Sequence, residues 1–178
     1  EQAFARLWMH NGMVQRDGEK MSKSLGNVVN VEDALRQWSP DAIRLFVLMS
    51  HYRSRNNLTD EAMAAAGAGV ERLRNALARD PGETIHPTAQ VTQIEGAFID
   101  AMEDDLSTPR AMSVLFDLAR DINRVADSGQ SVRAMQDKLR ELAGVLGLSL
   151  ADEAETPRED AAEIDALLVE RAEARKAK

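Results

Sequence analysis

Apolar residues recur along most of this chain every three or four positions, the spacing of a helix with one buried face. Residues 2–10 read as the last turns of a helix, and Asn30 can cap a helix over VEDALRQW. Ser39-Pro40, a capping residue followed by proline at the first helical position, opens DAIRLFVLMSH. Its IRLFVLM run is apolar on nearly all sides and predicts a buried helix. A helix is expected from Thr59 to about Arg79, with Val70, Leu73 and Leu77 on one face. Another spans about 93–104. The next opens at Thr108-Pro109 and places Met112, Leu115, Phe116, Ala119 and Ile122 on one stripe. Its successor, capped by Ser131, repeats the stripe with Met135, Leu139, Leu142 and Leu146.

Two stretches break the period and read as linkers, DPGETIHPTAQVT at 80–92 and SLADEAETPRED at 149–160. The second ends in Thr156-Pro157-Arg158-Glu159, a capping box for a terminal helix. A hairpin is expected only in GMVQRDGEKMS, where Asp17-Gly18 suits a two-residue turn that needs positive φ. The expected fold is mainly α: a small β-hairpin element, helices packed on it, and an antiparallel helical bundle. No internal repeat is visible.

Composition narrows this picture. Hydrophobic residues make up 44% of the 178 but aromatic ones only 4%, so the core should be aliphatic and alanine-rich, which favours helices. Cysteine is absent, excluding disulfides, thiol catalysis and any cysteine-containing metal site within this chain. No run approaches a membrane span and no signal peptide opens the sequence, so a cytoplasmic protein is expected. EQAFARLW enters a helical pattern uncapped, and EIDALLVERAEARKAK is still in helical register where it stops. Both features suggest part of a longer chain.

Net charge is −8, unfavourable for nucleic acid if taken globally. The distribution is uneven, however. Residues 1–79 hold 11 Lys+Arg against 9 Asp+Glu, while the remainder holds 11 against 21. A phosphate-handling half with an acidic helical appendage fits this split.

The more basic half contains DGEKMSKSLGN, residues 17–27. Lysines on a mobile loop can close over a triphosphate and release pyrophosphate, and small hydroxyls beside them add donors. Gly26 and Asn27 permit the turn that ends such a loop. Lys20-Met21-Ser22-Lys23-Ser24 matches the KMSKS motif of class I aminoacyl-tRNA synthetases at all five positions. Average residue usage would give that pentapeptide by chance roughly once in ten thousand chains of this length. WMHNGMVQRDGEKMSKSLGN, DAIRLFVLMSHYRSRNNLT and DDLSTPRAMSVLFDLARDINR resemble the cysteinyl-tRNA synthetase family in order and spacing, over nearly the whole chain.

The resemblance implies ATP-dependent activation of cysteine to cysteinyl-adenylate and its transfer to the 3′ end of cysteine tRNA. It implies catalytic roles for Lys23, at the ATP phosphates, and Lys20, a secondary stabiliser. Met21, Ser22 and Ser24 would complete the nucleotide site with these lysines, with Mg accompanying ATP. It further implies three parts: 1–30 as the end of a catalytic domain with its loop, 31–80 as a helical stem-contact region, and 93–178 as a truncated tRNA-binding bundle. A monomer is expected. The family's HIGH-type motif is not in this sequence, nor are the cysteine-containing zinc ligands expected in the full-length enzyme. Activity therefore belongs to a longer chain, with this part inactive alone. The alternatives are a mycothiol-pathway ligase joining cysteine to an amino sugar, and a non-catalytic helical binding module.

HYRSRNN offers Tyr52, Arg53 and Arg55 either to tRNA, by stacking and phosphate contact, or to the dipole at a helix C-terminus. His10, His51 and His86 lack ligand-like spacing and read as surface or packing residues. Trp8 and Trp38 read as packing anchors at helix ends, and Met102, Met112 and Met135 as core. Glu103-Asp104-Asp105 reads as a solvated helix end. Arg120, Asp121 and Arg124 fit either a tRNA surface or intrahelical pairs.

Overall fold

The computed structural model of the chain describes residues 4–81 and 89–151. The terminal helix expected after Thr156, His86 and most of the first linker lie outside them. Strands β1 (Val14–Arg16) and β2 (Glu19–Lys20) form the hairpin. Asp17 and Gly18 take φ of 51° and 82°, the left-handed pair that a tight two-residue turn requires. Strand β3 (Asn56–Leu58) joins β1 in parallel, giving the order β2-β1-β3. The sequence reading missed β3, because two asparagines and a leucine carry no strand pattern of their own.

Among the described residues six helices follow from the periodic stretches: α1 (Val31–Gln37), α2 (Pro40–Leu48), α3 (Asp60–Leu77), α4 (Ala89–Glu103), α5 (Thr108–Asp127) and α6 (Arg133–Val145). The Asn30, Ser39 and Thr59 side chains accept hydrogen bonds from the amides of Asp33, Ala42 and Ala62, so three helix starts are fixed by local chemistry. Ser131 does not cap α6 as expected. Its hydroxyl instead donates to the Pro81 carbonyl at 2.7 Å, and Val132 occupies the cap position without a side-chain bond.

The core runs unbroken from α2 through α6. Leu45, Met63, Leu73, Met112, Leu115, Ile122 and Leu139 are essentially solvent-free, and each such side chain contributes about 1.5–3 kcal/mol of burial. Gly69 lets α3 meet both α2 and α5, since a Cβ there would stand 2.6 Å from Leu45 Cδ2 and 3.3 Å from Phe116 Cζ. Gln136, buried on α6, donates to the carbonyls of Ala76, Leu77 and Arg79 at 2.9–3.2 Å. It caps the C-terminus of α3 from across the bundle.

Three further expectations are corrected. Residues 4–10 form no helix, because their apolar side chains have nothing to pack on and a single short turn is unstable alone. Trp8 accordingly is no packing anchor among the described residues: it is 68% exposed and stacks on Phe4. Helix α2 buries just one face, leaving Val47 and Met49 half exposed. By contrast, Trp38 packs against the core as expected.

Candidate functional site

The lysine loop leaves β2 at Lys20 and returns through a 3-10 turn, Lys23–Leu25, closed by Gly26 at φ 64°. One side chain holds it. Asn27 accepts from the Ser22 amide at 2.9 Å and donates to the Lys20 carbonyl at 3.3 Å, so both stems of the loop are pinned to one residue. Ser22 Oγ accepts from the Leu25 amide at 3.3 Å and lies 3.2 Å from Ser24 Oγ. The serines thus shape the turn. Met21 points from the loop into an apolar pocket it shares with Val29, Trp38, Val47 and Leu58. The Lys20 side chain is exposed.

The hairpin beneath is fixed by β3 and the chain before it. Gly18 N donates to Asn57 Oδ1 at 2.8 Å, and Gly12 N donates to the Tyr52 carbonyl at 2.7 Å. Gly12 admits no side chain, as a Cβ would fall 1.9 Å from the Ser54 carbonyl oxygen.

Tyr52 and Arg53 are engaged within the molecule. Tyr52 Oη donates to Asp105 Oδ1 at 2.7 Å, and Arg53 Nε donates to Oδ2 at 2.8 Å. His51 Nε2 donates to the Asp105 backbone carbonyl at 3.0 Å while its Nδ1 accepts from the Arg53 amide, a combination that requires the Nε2–H tautomer. His51 and Tyr52 stack with centroids 4.8 Å apart, and the Arg53 guanidinium lies over the Tyr52 ring. Hydrogen bonds from Arg53 and then Tyr52 hold the Asp105 carboxyl below its ordinary value. The bond to Asp105 raises the Tyr52 phenol. Arg55 stays exposed, with no ion pair among the described residues. Arg120 and Arg124 make intrahelical pairs with Asp117 and Asp121.

Asp105 is more than a solvated helix end, and Asp41 is a second such carboxylate, one that the sequence does not single out. Asp41 is 2% exposed and accepts from Ser149 N, Ser149 Oγ and Leu150 N at 2.8–3.1 Å, with Arg44 at 3.4 Å. It ties the start of α2 to the chain leaving α6. The signal was present, since an aspartate inside an apolar helix must be paired if buried. Its partners, 108 and 109 residues away, were not legible.

Among the described residues no group of three or more His, Asp or Glu side chains could hold a metal ion. No helix among them is long and apolar enough to cross a membrane.

Two family models match the chain: the tRNA synthetases class I (C) catalytic domain over residues 1–68 and the DALR domain over residues 97–151. Cysteine–tRNA ligases of Escherichia coli O1:K1, O139:H28 and K12 are each 44% identical over 98% of this chain. The chain spans 39% of the length of those relatives.

Proposed function

This chain belongs to the cysteinyl-tRNA synthetase family of class I, and we propose that it supplies the ATP-phosphate loop and tRNA-binding helices of a cysteine–tRNA ligase. The observation that carries the reading is the intact Lys20–Ser24 motif, seated on a hairpin whose loop Asn27 closes from both ends. ATP and cysteine give cysteinyl-adenylate and pyrophosphate. The cysteinyl group then passes to the terminal ribose of cysteine tRNA.

In this reading Lys23 and Lys20 neutralise charge that builds on the phosphates as the pyrophosphate bond breaks. Ser22 and Ser24 set the turn that presents them. Met21, which lines the apolar pocket beside α1 and α2, completes the nucleotide site with the lysines and serines. Residues 1–30 end the catalytic unit, 31–80 form a stem-contact region, and 93–178 form the tRNA-binding bundle. Arg55 remains open for RNA phosphate, whereas Tyr52 and Arg53 act by holding Asp105. Mg enters with ATP, and the protein works as a cytoplasmic monomer. The DALR match over α4 to α6 favours a tRNA substrate over an amino sugar.

The test is Lys23→Ala in the complete native protein. Cysteine-dependent ATP–pyrophosphate exchange should fall about 100-fold or more, while the Kd for cysteine tRNA changes little. Equal loss of both would refute the role of the loop.

A further inference from the structure

Arg72 stands apart from most arginines of the helices. Arg44, Arg74, Arg110, Arg120, Arg124 and Arg140 each pair with a carboxylate. Arg72, exposed on α3, has no carboxylate partner among the described residues. Its guanidinium lies 5.3 Å from the centroid of the Phe116 ring. Both residues line a cleft of about 440 Å³ between α2, α3, α5 and β3. Phe46, Met49, Ala65 and Gly69 make its wall apolar, and Asn57 supplies an amide at the side facing the hairpin. That amide's oxygen is taken by the Gly18 N–H, but its NH2 has no acceptor among the described residues.

We propose that this cleft seats one unstacked RNA nucleotide, with its base against Phe116 and the apolar wall and its phosphate on Arg72. A base face is apolar and stacks on aromatic rings and guanidinium planes alike. An unpaired guanidinium is the group best shaped for a phosphate, because its parallel N–H donors match two phosphate oxygens. The free NH2 of Asn57 can donate to an acceptor on the base edge. A purely apolar occupant would leave the guanidinium without an anion and the amide NH2 without an acceptor. The Gly18–Asn57 bond also places the occupant one hydrogen bond from the hairpin that carries Lys20. The proposal rests on the tRNA reading above and sharpens it to a place.

Two variants of the complete native protein test it. Ala65→Phe fills the cleft from an exposed position on α3 without altering charge. Arg72→Met keeps the aliphatic stem over Phe116 and removes the cation. Thermal melting first establishes that both fold, and Kd for a cysteine tRNA transcript is then measured across a salt series. Each variant should weaken binding about tenfold. Arg72→Met should reduce the salt slope by about one phosphate, while Ala65→Phe leaves the slope unchanged. Wild-type affinity in both variants would overturn the nucleotide pocket while leaving the tRNA reading intact. Weakening by Arg72→Met alone would mean a phosphate contact without an inserted base, and would also overturn it. A lowered melting point in Ala65→Phe with unchanged RNA affinity would assign the cleft to a protein segment instead. Failure of the wild-type protein to bind cysteine tRNA would remove the underlying reading as well.

Discussion

The lysine-loop region and the helical core are held together by opposite means. Residues 12–30 form a two-stranded turn, a loop closed by one asparagine, and apolar side chains that face outward. Twelve of the fifteen large exposed hydrophobics among the described residues lie between Phe4 and Met49, including Trp8, Val31 and Leu35. The core is apolar and continuous by contrast, and even its polar residues Asp41 and Gln136 are buried and bonded. One region spends its residues on geometry at the surface, and the other on stability. Mutations should therefore separate activity from folding according to which region they strike.

The largest effect on folding is expected at Asp41→Ala. It strands the buried Leu150 amide and the Ser149 hydroxyl, at a cost of about 3 kcal/mol. Urea unfolding should show a lowered midpoint at unchanged slope, and a shift under about 0.5 kcal/mol would mean that this latch is idle. Asn27→Ala should do the reverse. The melting point should hardly move, because the loop lies at the surface, yet ATP–pyrophosphate exchange in the complete protein should fall about tenfold through misplacement of the lysines. Exchange of the Ser22 amide proton with solvent should rise by several-fold as its acceptor is lost. An unchanged exchange rate at Ser22 would show that Asn27 is not the clasp.

The smallest effect belongs to the exposed latch at Asp105. Its carboxyl is held below the ordinary value by Arg53 and Tyr52, so its stabilising contribution is complete above the unfolded carboxylate pKa. That contribution is lost as pH falls through the folded value. Asp105→Asn should flatten the loss of thermal stability between about pH 5 and pH 3 relative to wild type. Parallel curves would show that the contact between the chain after α2 and the corner before α5 carries no stability.

The turn and cap residues show where sequence was informative. Asp17-Gly18, Asn30, Ser39 and Thr59 could be placed directly, because a tight turn and an N-cap are satisfied by atoms two or three residues away. The helical stripes of α3, α5 and α6 were equally legible, since burial on one face imposes a period. The Lys20–Ser24 motif was recognisable as a string.

Asp41, Asp105 and Gln136 were not, although together they join α2, α3, α5 and α6. Each finds its partners some 50 to 110 residues away, where no periodicity points. Residues 4–10 failed for the same reason, since a helical pattern becomes a helix only when its face has something to cover. Local sequence alone determined the turn, the caps, the stripes and the lysine motif, because their bonding partners are near neighbours. Only the tertiary structure decided which carboxylates became latches, because burial and long-range donors exist only once the helices have packed.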